Sequence, residues 1–289
     1  MARQSTPPFV PRSRHPGTPI VVAVDGPAAS GKSSTAQWVA RQLGFRHVDS
    51  GALYRAATAL ALQTLPDPAS WTESAILDAV RDVTLREAET SMVPASAAGE
   101  LGESVRSPSV TQHVSRVAQM PRVRKWVNEL VREAACASSV VVDGRDIGTV
   151  VFPEADLKVF LVADPWERAR RRLLQRLSRA PSDVEIAAET ERLVQRDARD
   201  ATQTVKARDA VLIDTTYLTQ EEQVERIVAL VRVLAGREAE PPSPHIQRLI
   251  TSGEIRRGIF TIRLAAASLN TRVRGESSRY ARARREDNP

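Results

Sequence analysis

The residues best suited to chemistry lie at positions 25–34, where the sequence reads D-G-P-A-A-S-G-K-S-S. Positions 26–33 match G-x-x-x-x-G-K-[ST], the phosphate-binding loop (P-loop) whose backbone N–H groups surround an anionic phosphate. In such a loop, Lys32 reaches the β- and γ-phosphates and the Ser33 hydroxyl holds Mg²⁺. The predicted nucleotide-binding residues are Gly26, Pro27, Ala28, Ala29, Ser30, Gly31, Lys32, Ser33 and Ser34.

The segments on either side of this loop support the prediction. Ile20 to Val24 is a short β-branched apolar run, as expected of a buried parallel strand. Ser34 to Leu43 has apolar residues at helical spacing, and Gly44 follows as a C-terminal stop. The alternative is a chance match in an ordinary strand–turn–helix connection, and we favour the nucleotide site.

A second group of polar residues follows at 49–55, with the sequence D-S-G-A-L-Y-R. Asp49 or Ser50 can cap a helix that begins there. Arg55 then projects from the first turns of this helix, and its planar guanidinium suits a second phosphate. A capped helix with a solvated arginine explains this segment equally well, so it does not decide the function alone.

The third group, D-G-R-D-I-G-T-V-V-F-P at 143–153, follows the apolar run Val140 to Val142. Ligands of open α/β sheets bind at the carboxyl ends of the strands. At such a position Arg145, flanked by Asp143 and Asp146, can bind a phosphate while a carboxylate accepts from an amine-bearing base. The alternative is a structural Asp–Arg pair in a turn.

Together with S-R-V-A-Q-M-P-R-V-R at 115–124 and R-D-A-R-D at 196–200, these motifs resemble the bacterial cytidylate kinases. These enzymes are nucleoside monophosphate kinases specific for CMP and dCMP. The motifs occur in the family's order and cover about residues 20–234. The resemblance implies transfer of a phosphoryl group from ATP to CMP or dCMP, with Mg²⁺ as the metal ion.

The resemblance also implies roles for individual residues. It implies that Ser115, Arg124 and Asp146 recognise cytosine, that Arg55 and Arg145 hold the acceptor phosphate, and that Asp200 holds the sugar. The whole implied CMP site comprises Ser50, Arg55, Arg106, Ser115, Arg124, Arg145, Asp146 and Asp200. The implied catalytic residues are Lys32, Arg145, Arg196 and Arg199, of which Arg196 and Arg199 belong to a lid that closes over ATP.

The chain departs from the family pattern at one position. The family's R-D-x-R-D-x-x-R ends in an arginine that contacts the acceptor phosphate, and this chain has Gln203 there. Lys206 and Arg208 are candidates to replace it, although an ammonium does not reproduce a bidentate guanidinium. A further cationic group comprises Arg168, Arg170, Arg171, Arg172, Arg196 and Arg199, and we expect at least half of these to be solvated.

Strands alternate with helices from Ile20 to about Leu234, which predicts a parallel sheet covered on both faces. With the resemblance, the predicted fold is a three-layer α/β/α P-loop NTPase with a small inserted acceptor-binding lobe and a helical lid. We expect a disordered tail at 1–18, a kinase domain at 19–235 and a Pro/Arg-rich extension at 236–289. Within the domain, 66–108 is the inserted lobe, with a loop from Pro94 to Gly102, and 165–209 is the lid region.

The composition of the chain argues against a nucleic-acid-binding protein and against a membrane-spanning protein. The net charge is +6, yet the two tails carry +3 and +5, which leaves −2 for residues 19–235. A nucleic-acid-binding core carries a basic face, so nucleic acid is not an expected partner. The single cysteine, Cys136, and the lack of a membrane-spanning apolar run predict a cytoplasmic protein. The resemblance implies ATP and CMP or dCMP as its partners, and we expect a monomer.

Two rival functions stay open at this stage. One is a P-loop kinase for another small acceptor, such as AMP, shikimate or dephospho-coenzyme A. The other is a nucleotide-binding regulatory protein that contacts RNA through the basic tail at 236–289. That tail has Phe260 and Tyr280 as its only aromatic residues, so it offers few platforms for base stacking.

Overall fold

The computed structural model describes residues 18–65, 67–97, 99–101 and 103–235. All of these residues belong to the first of two units into which the chain divides, 1–242 and 243–289. The extension predicted at 236–289 lies outside the described residues, as does the predicted N-terminal tail apart from Thr18. None of the described helices is long and apolar enough to cross a bilayer.

The strands in the described part of the chain are β1 (Val21–Asp25), β2 (Arg46–Asp49), β3 (Thr84–Ala88), β4 (Ser91–Ser96), β5 (Gly99–Glu100), β6 (Val140–Gly144), β7 (Leu157–Val162) and β8 (Val211–Asp214). The helices are α1 (Lys32–Leu43), α2 (Ser50–Thr64), α3 (Glu73–Ala79), α4 (Pro108–Val117), α5 (Pro121–Ala134), α6 (Pro165–Arg176), α7 (Asp183–Asp200) and α8 (Gln220–Leu234). The strands predicted at 20–24 and 140–142 are present as β1 and β6, and the helix predicted after the P-loop is present as α1.

The strands form one sheet in the order β3-β4-β2-β6-β1-β7-β8, with β5 paired to β4. The strands from β4 to β8 in this order pair in parallel, whereas β3 and β5 run antiparallel to β4. The parallel pairing places the carboxyl ends of β1, β2 and β6 next to one another, with Asp49 opposite Asp143 and Asp25 opposite Gly144. This edge of the sheet is where the sequence places its polar motifs.

Helices cover both faces of the sheet, which confirms the predicted fold class. Ala23 of β1 and Val142 of β6 pack with helices α2 to α5 in one buried cluster. The alternate residues Val22 and Val24 of β1 are fully buried, and because strand side chains alternate they face the other layer. Helix α1 packs against α8 and β6 in that second layer.

The segment predicted as an inserted lobe, 66–108, extends the main sheet. Pro94 to Ser96 lie in β4, so the predicted loop from Pro94 was wrong for these residues. Strand β4 pairs with β2 through His47 and Val48, which gives the β3–β4 hairpin a place at the sheet edge. That pairing depends on an edge contributed by a distant strand, which local sequence does not reveal.

The close approach of the P-loop to β7 requires glycine at the first loop position. A Cβ on Gly26 would lie 2.2 Å from the carbonyl oxygen of Leu161, a backbone atom that has no rotamer to adopt. The space around Gly44, at the end of α1, is open within 4 Å, although its φ of +69° is also positive.

We therefore expect Gly26→Ala to lower the free energy of unfolding by about 3 kcal/mol through overpacking. The control, Gly44→Ala, should cost only about 1 kcal/mol from its left-handed backbone. Chemical denaturation of both variants measures this difference, and equal losses would contradict the steric argument.

Candidate active site

A cavity of about 960 Å³ opens at the carboxyl ends of β1, β2 and β6. Its wall includes the P-loop, the first turns of α2, part of α4, the turn after β6, and the helices α6 and α7. Of the predicted nucleotide-binding residues, the cavity wall contains Ala28, Ala29, Gly31, Lys32, Ser33 and Ser34. The predicted CMP-site residues all lie in this wall: Ser50, Arg55, Arg106, Ser115, Arg124, Arg145, Asp146 and Asp200.

Lys32 lies at the start of α1, just after the left-handed Gly31, whose φ is +86°. Its Nζ donates a hydrogen bond to the carbonyl oxygen of Pro27 at 3.0 Å, within the same loop. Burial and the positive charge of Arg145 lower the pKa of Lys32 to about 7. A polyanion in the cavity would favour its charged form, since an opposite charge nearby raises the pKa of an amine.

Ser33 and Asp143 place two oxygen atoms that could bind a metal ion beside Lys32. The Ser33 Oγ donates to Asp143 Oδ2 at 2.5 Å, and His47 Nε2 lies 2.7 Å from Asp143 Oδ1. Burial alone would raise the pKa of Asp143, but the hydrogen bond and charge of His47 lower it, so the carboxylate stays ionised. A hydroxyl and one ionised carboxylate match the few protein ligands that Mg²⁺ takes beside phosphates and waters.

The same His47–Asp143 contact acts on the histidine. Burial would lower the pKa of His47, yet the hydrogen bond and charge of Asp143 raise it overall. Asp49, next to this pair, caps α2 by accepting from the backbone N–H of Ala52 at 3.1 Å. Burial and the negative charge of Asp143 raise the pKa of Asp49.

Two arginines of the predicted CMP site lie near Asp49. Arg55 Nη1 donates to Thr111 Oγ1 of α4 at 3.2 Å. Arg106 Nη2 lies 3.9 Å from Asp49 Oδ2, and its side chain is 70% exposed. Arg55 is therefore placed by a neighbouring helix, whereas Arg106 is a loosely held cation at the rim.

Arg124 and Asp146 form a salt bridge in the cavity wall, with Arg124 Nη2 donating to Asp146 Oδ2. Arg124 also donates to the carbonyl oxygen of Ala118 at 3.0 Å, and its guanidinium lies 5.9 Å from the ring centre of Tyr54. Ser115, on α4, is buried in the same wall. The three residues implied for base recognition are thus brought to one cavity.

Asp200 lies between two arginines of the predicted catalytic set. Its Oδ2 is 3.5 Å from Arg145 Nε and 3.7 Å from Arg196 Nε. Both Nε atoms are buried and have no hydrogen-bond partner within the described residues. Burial and the charge of Arg145 lower the pKa of Arg196 to about 10. This excess of cationic donors fits the oxygens of phosphate groups.

Other predicted residues are placed away from the cavity. The guanidinium of Arg199 donates to the Gln195 carbonyl oxygen on the exposed side of α7 and is absent from the wall. Lys206 and Arg208 are absent from it too, whereas Gln203 lies in the wall and donates to the carbonyl oxygen of Ala118 at 3.3 Å. A catalytic role for Arg199 stays a prediction, and so does the replacement of the family arginine by Lys206 or Arg208.

The prediction that at least half of the six lid arginines are solvated was wrong, since only Arg170 and Arg199 are exposed. Arg168 is buried and pairs with Asp197 at 2.6 Å. Arg171 donates to the carbonyl oxygen of Thr215 at 2.6 Å. Packing of α6 against α7 and against the loop after β8 therefore covers arginines that the sequence alone suggested were solvated.

Sequence reasoning missed several residues of the site. His47 and Thr111 line the cavity, and nothing in their local sequence signals it. Asp25 was read only as the residue before the loop. Its two carboxylate oxygens accept from the backbone N–H groups of Ile147 at 2.8 Å and Gly148 at 2.7 Å. Asp25 thereby ties the P-loop strand to the turn that carries Arg145 and Asp146.

A P-loop and a cluster of arginines around one cavity, two of which share a single carboxylate, are typical of a P-loop kinase, an enzyme that transfers phosphoryl groups. The family model described as "Cytidylate kinase" matches residues 22–233. The chain is 38% identical over 221 residues to the cytidylate kinase of Acholeplasma laidlawii, covering 74% of this chain and 96% of the relative. It is 43% identical over 215 residues to the cytidylate kinase of Desulfitobacterium hafniense, covering 73% and 92%. The chain belongs to the cytidylate kinase family and is a kinase of nucleoside monophosphates.

Burial raises the pKa of Asp25 to about 6, against the opposing effect of its two backbone hydrogen bonds. Because its pKa is higher in the folded chain than in the unfolded one, the folded state loses stability as the pH rises from about 4 to about 7. Asp25→Asn removes this titration. The difference in the free energy of unfolding, variant minus wild type, should therefore increase by about 2 to 3 kcal/mol between about pH 4 and about pH 7.

Urea denaturation of both proteins at several pH values measures this gain. The variant need not be more stable at any single pH, because the amide cannot accept both hydrogen bonds in the same way. A difference between the two proteins that stays constant with pH would contradict the prediction.

Proposed function

We propose that this protein phosphorylates CMP and dCMP to CDP and dCDP, with ATP as the donor. The observation that carries the proposal is the single cavity that joins the P-loop to the Arg124–Asp146 pair. The first element suits the phosphates of a donor nucleotide. The second offers a carboxylate and a guanidinium to the polar edge of a pyrimidine, and the cytosine N4 amine donates to a carboxylate.

On the donor side, the backbone of the P-loop and Lys32 bind the β- and γ-phosphates of ATP. Ser33 and Asp143 would hold Mg²⁺, which when bound neutralises charge on the phosphate oxygens. Lys32 leaves its hydrogen bond to the Pro27 carbonyl and turns to the phosphates. The ionised Asp143 accepts the hydrogen bond of the Ser33 hydroxyl and so keeps the Ser33 oxygen near the phosphate site.

Between donor and acceptor, Arg145 and Arg196 each have a buried Nε atom with no hydrogen bond in the described part of the chain. We assign them to the transferring phosphoryl group, whose charge spreads over its equatorial oxygens. Asp200 holds both guanidinium groups near one another before substrate binds and is available to a sugar hydroxyl. The chain thereby contributes positioning and charge neutralisation, with little covalent work.

The surroundings of the site agree with this assignment. Arg55 and Arg106 bring positive charge to the acceptor side, and strand β4, which pairs with β2, adds residues 91–94 to the same wall. Movement of the α6–α7 lid would exclude water and so suppress ATP hydrolysis. The proposal includes a cytoplasmic monomer. It includes no nucleic-acid partner, because the charge of residues 19–235 is −2.

Removal of the P-loop ammonium tests the donor half of the mechanism. We expect Lys32→Ala to lower kcat by at least about 10³-fold, since a cation aimed at the transferring group contributes on that scale. The control is Lys125→Ala, because Lys125 lies on α5 with its side chain 78% exposed. A coupled assay of ADP formation measures both, and circular dichroism checks the fold. Turnover near wild type in the Lys32 variant would contradict the mechanism.

A panel of acceptors, with Asp146→Asn as the variant, tests the acceptor half. CMP and dCMP should be preferred to UMP by at least about tenfold in kcat/KM, because uracil has a carbonyl oxygen in place of the amine that Asp146 accepts from. Asp146→Asn should raise KM for CMP at least about tenfold and leave KM for ATP within about twofold. Equal use of AMP and CMP by wild type would defeat the cytosine assignment and favour a kinase for another acceptor.

A further inference from the structure

One ion pair of the lid helices holds the P-loop at Ala28. Asp197 of α7 accepts a hydrogen bond from the backbone N–H of Ala28, at 3.1 Å from its Oδ1. Arg168 of α6 donates to the Ala28 carbonyl oxygen at 2.8 Å and to Asp197 Oδ2 at 2.6 Å. Ala28 lines the cavity, whereas Asp197 and Arg168 do not. The pair therefore contacts the loop from outside the space that a nucleotide would occupy.

Apolar packing joins the same parts of the molecule. The methyl group of Ala28 is 2% exposed, and Ala29 packs beside it. They share one buried cluster with two residues each of α6 and α7, namely Ala169, Leu173, Ile186 and Leu193. The centre of the P-loop is thus part of the core between the two lid helices.

The loop needs such support because Ala29 has a φ of +57°. Residues with a Cβ rarely adopt this left-handed conformation and keep it only where their surroundings impose it. The same helix that supplies Asp197 also carries Arg196 and Asp200, which face the cavity. Helix α7 therefore contacts the outside of the donor loop and the inside of the cavity within the five consecutive positions 196–200.

We propose that Asp197 is a positioning residue that fixes the donor-phosphate loop to the α6–α7 hairpin through Ala28 and Arg168. The inference rests on the proposed binding of donor phosphates by this loop. With Asp197 in place, the loop holds its phosphate-binding shape before the nucleotide arrives, which lowers the entropy lost on binding. Donor affinity therefore depends on Asp197, although Asp197 itself does not line the cavity.

Calorimetric titration of the full chain with ADP, and separately with CMP, tests the proposal. We expect Asp197→Ala to weaken ADP binding about tenfold, since it removes a charge-assisted hydrogen bond, while the affinity for CMP stays within about twofold. Asp197→Asn should weaken ADP binding by about threefold, because its carbonyl still accepts from Ala28 but Arg168 loses its counter-charge. The matched control is Glu191→Ala, an exposed carboxylate on the same helix.

A double-mutant cycle adds a readout that a general loss of stability would not give. Arg168→Ala combined with Asp197→Ala should weaken ADP binding by less than the product of the single effects, because both act through Ala28. Unchanged ADP affinity in the Asp197 variants, or equal loss for ADP and CMP, overturns the proposal. If Asp197→Ala fails to fold, the asparagine variant decides by the same criteria. A wild-type chain that binds no ADP contradicts the proposed function and overturns this inference with it.

Discussion

The site depends on one electrostatic constraint, which is that several buried cations must stay close together before any anion binds. Burial lowers the pKa of both Lys32 and Arg196, and the positive charge of Arg145 lowers each of them further. Carboxylates offset only part of this repulsion, because Asp200 is shared by two guanidinium groups. A cluster of this kind is stable within a fold yet retains unpaired donors, and such a cluster favours a polyanionic ligand.

The parallel sheet supplies the carboxylates at the right place. Asp25, Asp49 and Asp143 end three neighbouring strands, β1, β2 and β6, so they lie along one edge of the sheet. Their partners then separate their roles, since Asp25 holds two backbone N–H groups, Asp49 caps α2, and Asp143 contacts Ser33 and His47. One residue type near the carboxyl ends of three neighbouring strands thus performs three tasks, each set by its own neighbours.

The order of strands and helices in the core followed from sequence because β-branched runs and capped helices carry local signals. Helix α4 was overlooked, although Val110, Val114 and Val117 mark its buried face and Ser107 caps it. Physical reasoning from the residues alone found the cavity residues at strand ends and in the P-loop, whereas Ser115, Arg124 and Asp200 came from the family resemblance. Arg168 could not be told from its neighbouring arginines, because its burial depends on where α7 packs rather than on its own segment.

Gln203 shows how a departure from a family pattern can be read through its contacts. Its amide donates to the carbonyl oxygen of Ala118, which also accepts from Arg124. A carbonyl oxygen has two lone pairs, so one acceptor serves both donors. A neutral amide here adds no charge beside Arg124, whereas an arginine would add repulsion to a cavity already rich in cations. Under the proposed function, glutamine at this position removes one cationic contact to the acceptor phosphate and also removes repulsion beside the Arg124–Asp146 pair, so we expect its two effects on KM for the acceptor to oppose each other.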